Sequence, residues 1–167
     1  MSTLEVKGIQ APSGFDLDMP AGHIVQTVYG TYSTIVSLSS TSYVDSGLSL
    51  SITPKFSTSK IYIIVNQQSS IQSSAGGTDG GFGLRLLRDS TVVFSPATNY
   101  DVYLYLANSA DTVNNRSRTP LNYLDSPATT STITYKTQAS SYNPTNGPVN
   151  FQNASNPSNI TLMEVAG

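Results

Sequence analysis

Leu48-Ser49-Leu50-Ser51-Ile52-Thr53, followed shortly by Lys60-Ile61-Tyr62-Ile63-Ile64-Val65-Asn66, decides the fold class. The first stretch alternates apolar and hydroxyl side chains with a period of two, which puts Leu48, Leu50 and Ile52 on one face of an extended chain. The second is nearly continuous in β-branched and apolar residues and reads as a strand buried on both faces.

Outward from this pair the same signal recurs. Phe82, Leu84 and Leu86 alternate with Gly83, Arg85 and Leu87, and Asp89-Ser90 predicts a turn into Thr91-Val92-Val93-Phe94. Val102, Leu104 and Leu106 alternate with Tyr103 and Tyr105. Thr132-Ile133-Thr134-Tyr135-Lys136 and the run from Asn159 to Val165 complete the set, while His23 to Leu38 holds one long bent strand or two shorter ones. No window shows a 3.6-residue period, and Pro and Gly interrupt the chain throughout. Eight to ten strands are expected, in an all-β fold. That number suits a β-sandwich, a jelly roll in particular, better than a small barrel, and the lack of a fixed repeat excludes propellers and solenoids.

The chain divides into residues 1–21, an extended arm whose Leu4, Val6 and Ile9 are candidate docking side chains, and residues 22–167, the sandwich domain. Residues 139–159, rich in Asn, Ser and Pro, read as a long polar connection of the kind that carries function.

Composition narrows the function. Charged residues are only 11% of 167, against about 25% in an ordinary domain. Serine (26) and threonine (19) take their place, as expected of sheets whose outer faces are uncharged but polar. A net charge of −2 with ten Tyr and five Phe belongs to an ordered chain, not a disordered one. Four Lys and four Arg supply no basic stripe, so no nucleic acid partner is expected. No apolar run approaches the about 18 residues of a spanning helix, and the first residues lack an apolar h-region, so neither membrane insertion nor general secretion is expected. Without cysteine there is no thiolate chemistry and no Cys-based zinc site.

No catalytic set assembles either. His23 is the lone histidine, with no triad or metal partners near it in sequence, and is expected at a surface. The eight Asp and two Glu are scattered. Asp45, Asp89 and Asp125 read as turn and strand-end residues, not as a facing carboxylate pair. Gly76 to Gly83 lacks the Lys-Ser/Thr that a phosphate loop requires and is expected to be a flexible tip. No enzyme activity, metal or cofactor is therefore expected. Three Asn-X-Ser/Thr triplets, at Asn115, Asn153 and Asn159, are matches expected by chance in so Asn- and Ser-rich a chain.

Binding candidates remain. Tyr62, Tyr103 and Tyr105 are too aromatic for open solvent yet too polar for a core, which suits packing between subunits. Tyr142, Asn143 and Phe151 in the late connection, with Arg116 and Arg118 in a polar loop after the aromatic strand, form a candidate glycan or partner loop. The arginines are also placed to pair with Asp111 or Asp125.

Met1-Ser-Thr-Leu-Glu-Val-Lys-Gly-Ile-Gln10, Leu48-Ser-Leu-Ser-Ile-Thr-Pro54, Ser59-Lys-Ile-Tyr-Ile-Ile-Val65, Gly83-Leu-Arg-Leu-Leu-Arg-Asp-Ser-Thr91, Tyr123-Leu-Asp-Ser-Pro127, Thr134-Tyr-Lys136 and Ile160-Thr-Leu-Met-Glu164 follow one another along the chain. As a set they resemble the virion structural and fibre-like proteins of marine and cyanobacterial tailed phages. Residues 67–80 and 139–159 depart from that pattern. A looser similarity of strand order connects the chain to the C1q/TNF-like trimeric jelly rolls. The resemblance implies a non-enzymatic virion component made in the host cytoplasm, a homotrimer with capsid, neck or tail proteins as its partners. Three roles compete: a small fibre or knob-type appendage held by its N-terminal arm, a capsid decoration protein, and a module binding a host-surface glycan.

Overall fold

The computed structural model of the chain describes residues 20–73, 79–95, 100–105, 113–146 and 148–167. Among them run eleven strands: β1 (Ile24–Tyr32), β2 (Val36–Leu38), β3 (Val44–Ile52), β4 (Lys60–Ser73), β5 (Asp79–Arg88), β6 (Thr91–Phe94), β7 (Val102–Tyr105), β8 (Val113–Asp125), β9 (Ile133–Ser141), β10 (Val149–Phe151) and β11 (Ser158–Val165). The all-β expectation holds. His23 to Leu38 holds two strands, β1 and β2, one of the two arrangements expected; the count exceeds eight to ten because segments read as polar loop and connection contain β8 and β10.

Every pairing is antiparallel, and two sheets result. In the first, β4 takes β11 and then β10 along one edge and β8 along the other. β1 lies outside β11, and β2 outside β10. In the second, the order is β3-β9-β5, and β6 and β7 share the far edge of β5. The first strand thus pairs with the last, β3 with β9, β4 with β8, and β5 with β6 and β7. One long hairpin rolled on itself gives this nesting, which is the jelly-roll order.

The faces follow the sequence period. Ile61, Ile63 and Val65 of β4 are fully buried against Phe82, Leu84 and Leu86 of β5 and Leu48 and Ile52 of β3, as part of one core. Tyr62, Ile64 and Asn66 point the other way and are half-buried, so this first half of β4 is covered on one face only, contrary to the sequence expectation, whereas Gln67 to Ile71 are buried throughout. β8 is the strand that sequence reading missed. Its polar run Val-Asn-Asn-Arg-Ser-Arg-Thr-Pro is held by pairing residue for residue with β4, from Val113↔Ser73 to Asp125↔Ile61. As an edge strand it tolerates Pro120, which has no N–H to offer a further neighbour.

Midway along β4 the core turns polar. Gln67, fully buried, accepts from Thr137 Oγ1 of β9 at 2.9 Å and Ser46 Oγ of β3 at 3.3 Å, and donates to Ser158 Oγ at 2.9 Å. Gln152, oriented with its amide oxygen toward Gln67 Nε2 and Ser158 Oγ (both 2.7 Å), donates to the carbonyls of Thr34 and Phe151. This network offsets the left-handed backbone of Gln152 (φ 54°). Ser46 leads into a bulge at Gly47, whose φ of +88° and closeness to the Tyr32 ring leave no room for a Cβ.

The two ends of the described chain share one end of the sandwich, the base, where Gly22 N donates to Ala166 O and Ala166 N to His23 O. Asp125 closes the base between the sheets, accepting from Arg88 Nη1 and Tyr135 Oη, both at 2.7 Å. It is a buried inter-sheet anchor, more than the strand-end residue expected. Glu164, also fully buried, accepts from the backbone N–H of Lys55 (2.7 Å) and Phe56 (3.2 Å) and from Gln26 Nε2. Burial alone would raise its carboxyl, but these donors outweigh it and hold the group below its ordinary value. Of the expected arm, residues 1–19, with Leu4, Val6 and Ile9, lie outside the described residues.

A depressed carboxyl leaves the unfolded chain holding more protons than the folded one as pH falls, so Glu164 stabilises fully above about pH 4.3 and loses that effect as pH drops through its folded value. Glu164→Gln is expected to lower stability at pH 7 by about 2 kcal/mol. It should also flatten the acid limb of a denaturant-measured stability profile. An unchanged acid limb contradicts this role.

Candidate functional site

The opposite end of the sandwich, the tip, gathers residues from separate segments. β5 begins there, with Asp79 opposite Tyr105 and Gly81 opposite Tyr103. Tyr142, just past β9, donates its N–H to Gly81 O at 2.9 Å. A Cβ on Gly81 would stand 2.5 Å from Val102 O and 3.5 Å from Tyr142 Cβ, so glycine here lets β7 and the post-β9 chain close in. Asp101 fixes the start of β7, accepting from Leu84 N through its carboxylate and donating its own N–H to Phe82 O at 2.8 Å. Burial raises the Asp101 carboxyl, and the Leu84 bond only partly offsets it.

Inward, Val102 and Leu104 pack on the core. Outward, three tyrosines meet. Tyr100 and Tyr103 lie with ring centroids 5.0 Å apart and tilted, and Tyr142 stands edge-on to both, at 5.2 and 5.4 Å. All three stay exposed, at 39, 43 and 39%. Beside them Asp79 Oδ1 accepts from Asn143 Nδ2 (2.9 Å) and Asn146 Nδ2 (2.6 Å). Desolvation, then Asp79 and the neighbouring phenols, push the Tyr103 hydroxyl above its ordinary value, which keeps it a neutral donor.

Sequence reading named Tyr103, Tyr105, Tyr142 and Asn143 but assigned them to two different roles; the structure brings them together. Tyr62 is elsewhere, on the outer face of the first sheet, so the three tyrosines expected to form one subunit face do not share one. Phe151 belongs to neither group. It is fully buried in β10, edge-to-face with Phe82 at 5.2 Å, because Val149–Phe151 of that connection pair with β4. Arg116 and Arg118 sit on β8, in register with Ser70 and Gln68, and not in a loop. They line an open cleft of about 250 Å³ with Gln68, Ser117 and Asn156, and Arg118 Nη1 donates to Pro157 O. Asp125 pairs with Arg88, and Asp111 lies outside the described residues. His23 is exposed, its Nδ1 3.1 Å from Pro20 O. Among the described residues no three His, Cys, Asp or Glu side chains gather where they would hold a metal ion. Tyr100, Asp79 and Asn146 were missed, since Tyr100 precedes its strand and Asp79 is hidden in a glycine run.

No protein-family model matches the sequence. No curated protein matches it. Solved structures do align with the fold. The infectious bursal disease virus Gt strain structure does so at 12% identity and a TM-score of 0.41, over 97% of this chain and 43% of that one. The crystal structure of the infectious bursal disease virus VP2 subviral particle does so at 11% identity and a TM-score of 0.40, over 97% of this chain and 42% of that one. The chain spans less than half the length of either.

Phe151→Ala is expected to cost about 3–5 kcal/mol of stability, as a large aromatic taken from a closed core. A melt within a degree or two of the parent would contradict its placement.

Proposed function

We propose that this chain is a structural subunit of a virus particle, a small appendage protein of a tailed phage that works as a homotrimer. The observation that carries the reading is the contrast between the two outer sheet faces. On the second sheet, Ser51 bonds Thr134 at 2.8 Å, Asp45 takes Lys136 and Gln138, and Arg85 lies 4.2 Å over the Tyr43 ring. The part of that face formed by β3, β9 and β5 satisfies itself.

The outer face of the first sheet is different. Cross-strand partners point the same way, so Thr27, Met163, Tyr62 and Leu124 make one row, and Tyr29, Thr161, Ile64 and Asn122 the next. Ile24 and Val165 extend the apolar strip toward the base. Tyr29, Ile24 and Leu124 are exposed at 63, 57 and 49%. Scattered apolar residues need no explanation, but apolar residues from four adjacent strands gathered on one face fit an interface. Its occupant in this reading is a second and third copy of the chain, three sheets closing round an axis with their edges protected.

The chain-long resemblance to phage virion proteins supports the setting, and the base, where residues 20–23 meet the C-terminus, suits an arm that docks onto the particle. A capsid decoration role uses the same parts at far higher copy number, which quantitative mass spectrometry of purified particles separates. Sedimentation equilibrium at micromolar concentration is expected to give about three times the 17.7 kDa chain mass. Leu124→Asp is expected to give monomer with an unchanged β-sheet spectrum. A monomeric parent chain, or a variant that stays trimeric, rules the interface out.

A further inference from the structure

We infer that the cleft on β8 is a binding site for an acidic saccharide, with Arg116 and Arg118 holding its carboxylate or sulfate group. The first support is the state of the arginines. Arg85 bonds Gln138 and lies over the Tyr43 ring, and Arg88 pairs with Asp125. Arg116 has no hydrogen-bond or ion-pair partner among the described residues. Arg118 uses one of its five N–H donors on Pro157 O, at 3.0 Å. Both are exposed, on the same side of the strand and roughly 7 Å apart along it. No carboxylate relieves these two like charges, because each Asp and Glu side chain among the described residues accepts its bonds elsewhere.

The other wall of the cleft is held in place. The turn from Gln152 to Asn156 is tied to Gln68 of β4, whose carbonyl takes the Gln152 N–H (3.4 Å) and whose side-chain oxygen takes the Asn153 N–H (2.8 Å). Gln152, Ala154 and Ser155 adopt left-handed backbone there, with φ of 54°, 56° and 59°. Non-glycine residues keep that conformation only where their surroundings fix it, and the buried Gln67 network does so at the root of the turn. Asn156 ends the wall. Its backbone N–H and its Nδ2 both donate to Asn153 O, which leaves its amide oxygen as an acceptor.

Chemistry then selects the ligand. A guanidinium fork matches the paired oxygens of a carboxylate or a sulfate. No apolar side chain among the described residues lines the cleft, whose remaining residues are Gln68, Ser117 and Asn156, so a protein partner finds no pocket for an anchor. Two cations in a chain of net charge −2 are too few for a nucleic acid, whose affinity grows with the number of phosphates neutralised. A sugar acid brings one anionic group for the arginines and hydroxyls for the polar groups beside them.

The site is complete within one chain. Calorimetric titration of the purified full-length protein tests it, with a glucuronate oligosaccharide, a sulfated galactose oligosaccharide, their neutral counterparts, inorganic sulfate and a poly-glutamate peptide as ligands. An acidic saccharide is expected to bind, more weakly as salt rises, and the tighter of the two identifies the anion. Arg116→Gln and Arg118→Gln should each weaken binding about tenfold. Lys60→Gln, which removes the same charge from the base end of β4, should leave it unchanged. Leu124→Asp should bind as the parent does per chain, so failure of the trimer reading leaves this result standing. Shifts of the arginine Nε–H signals in the parent protein give the same answer even if a variant misfolds. The inference is overturned if neither acidic saccharide binds, or if binding survives both arginine variants or falls equally in Lys60→Gln. Equally tight binding of the neutral counterparts, of inorganic sulfate or of poly-glutamate overturns it as well.

Discussion

A carboxamide buried between two sheets must find every partner inside the protein, and Gln67 is that constraint here. Its oxygen is served by β3 and β9, its nitrogen by Ser158 and Gln152 at the start of and before β11. A slip of one residue in β4 would turn Gln67 to the outside and expose the whole inward set Ile61, Ile63 and Val65. An unsatisfied amide in that position costs on the order of 1–3 kcal/mol. Hydrophobic alternation alone selects a face; the network also fixes which residue of β4 stands opposite which strand. The thirteen-residue pairing of β4 with β8, the insertion of β10 and the bulge at Gly47 all follow from β4 holding that register.

With the register set, the sandwich acquires distinct ends and distinct faces. The base holds both ends of the described chain, locked by the buried Asp125 and Glu164 anchors. The tip holds the tyrosine cluster. On the second sheet the outer face of β3, β9 and β5 bonds within itself through hydroxyls and charge pairs, while the first sheet leaves an apolar strip exposed. The described chain ends at the base, the apolar strip on the first sheet and the tyrosine cluster at the tip thus occupy separate parts of a 17.7 kDa chain.

Much of this architecture was legible in the sequence. Period-two alternation located β3, β5, β7, β9 and β11, a nearly continuous apolar run located β4, and the Asp89-Ser90 turn located the β5–β6 hairpin. What escaped was whatever depends on contacts distant in sequence. β8 has little apolar content of its own and is a strand because β4 pairs with it. Phe151, in a segment of loop-like composition, becomes core because its segment comes back to β4. The tyrosines at the tip were visible as residue types, but no local pattern shows that Tyr100, Tyr103 and Tyr142 converge from segments forty residues apart in sequence. Asp79 passed unnoticed among glycines, and its role is defined only by Asn143 and Asn146 across the fold.

An experimental structure of the assembled protein in solution, by electron cryomicroscopy, tests the account most directly. Three copies are expected, with Tyr29, Tyr62, Ile64, Leu124 and Met163 buried about a threefold axis and Tyr100, Tyr103 and Tyr142 left open at the distal end. An assembly that leaves the first sheet's outer face in solvent, or that buries the tyrosine tip between subunits, contradicts it.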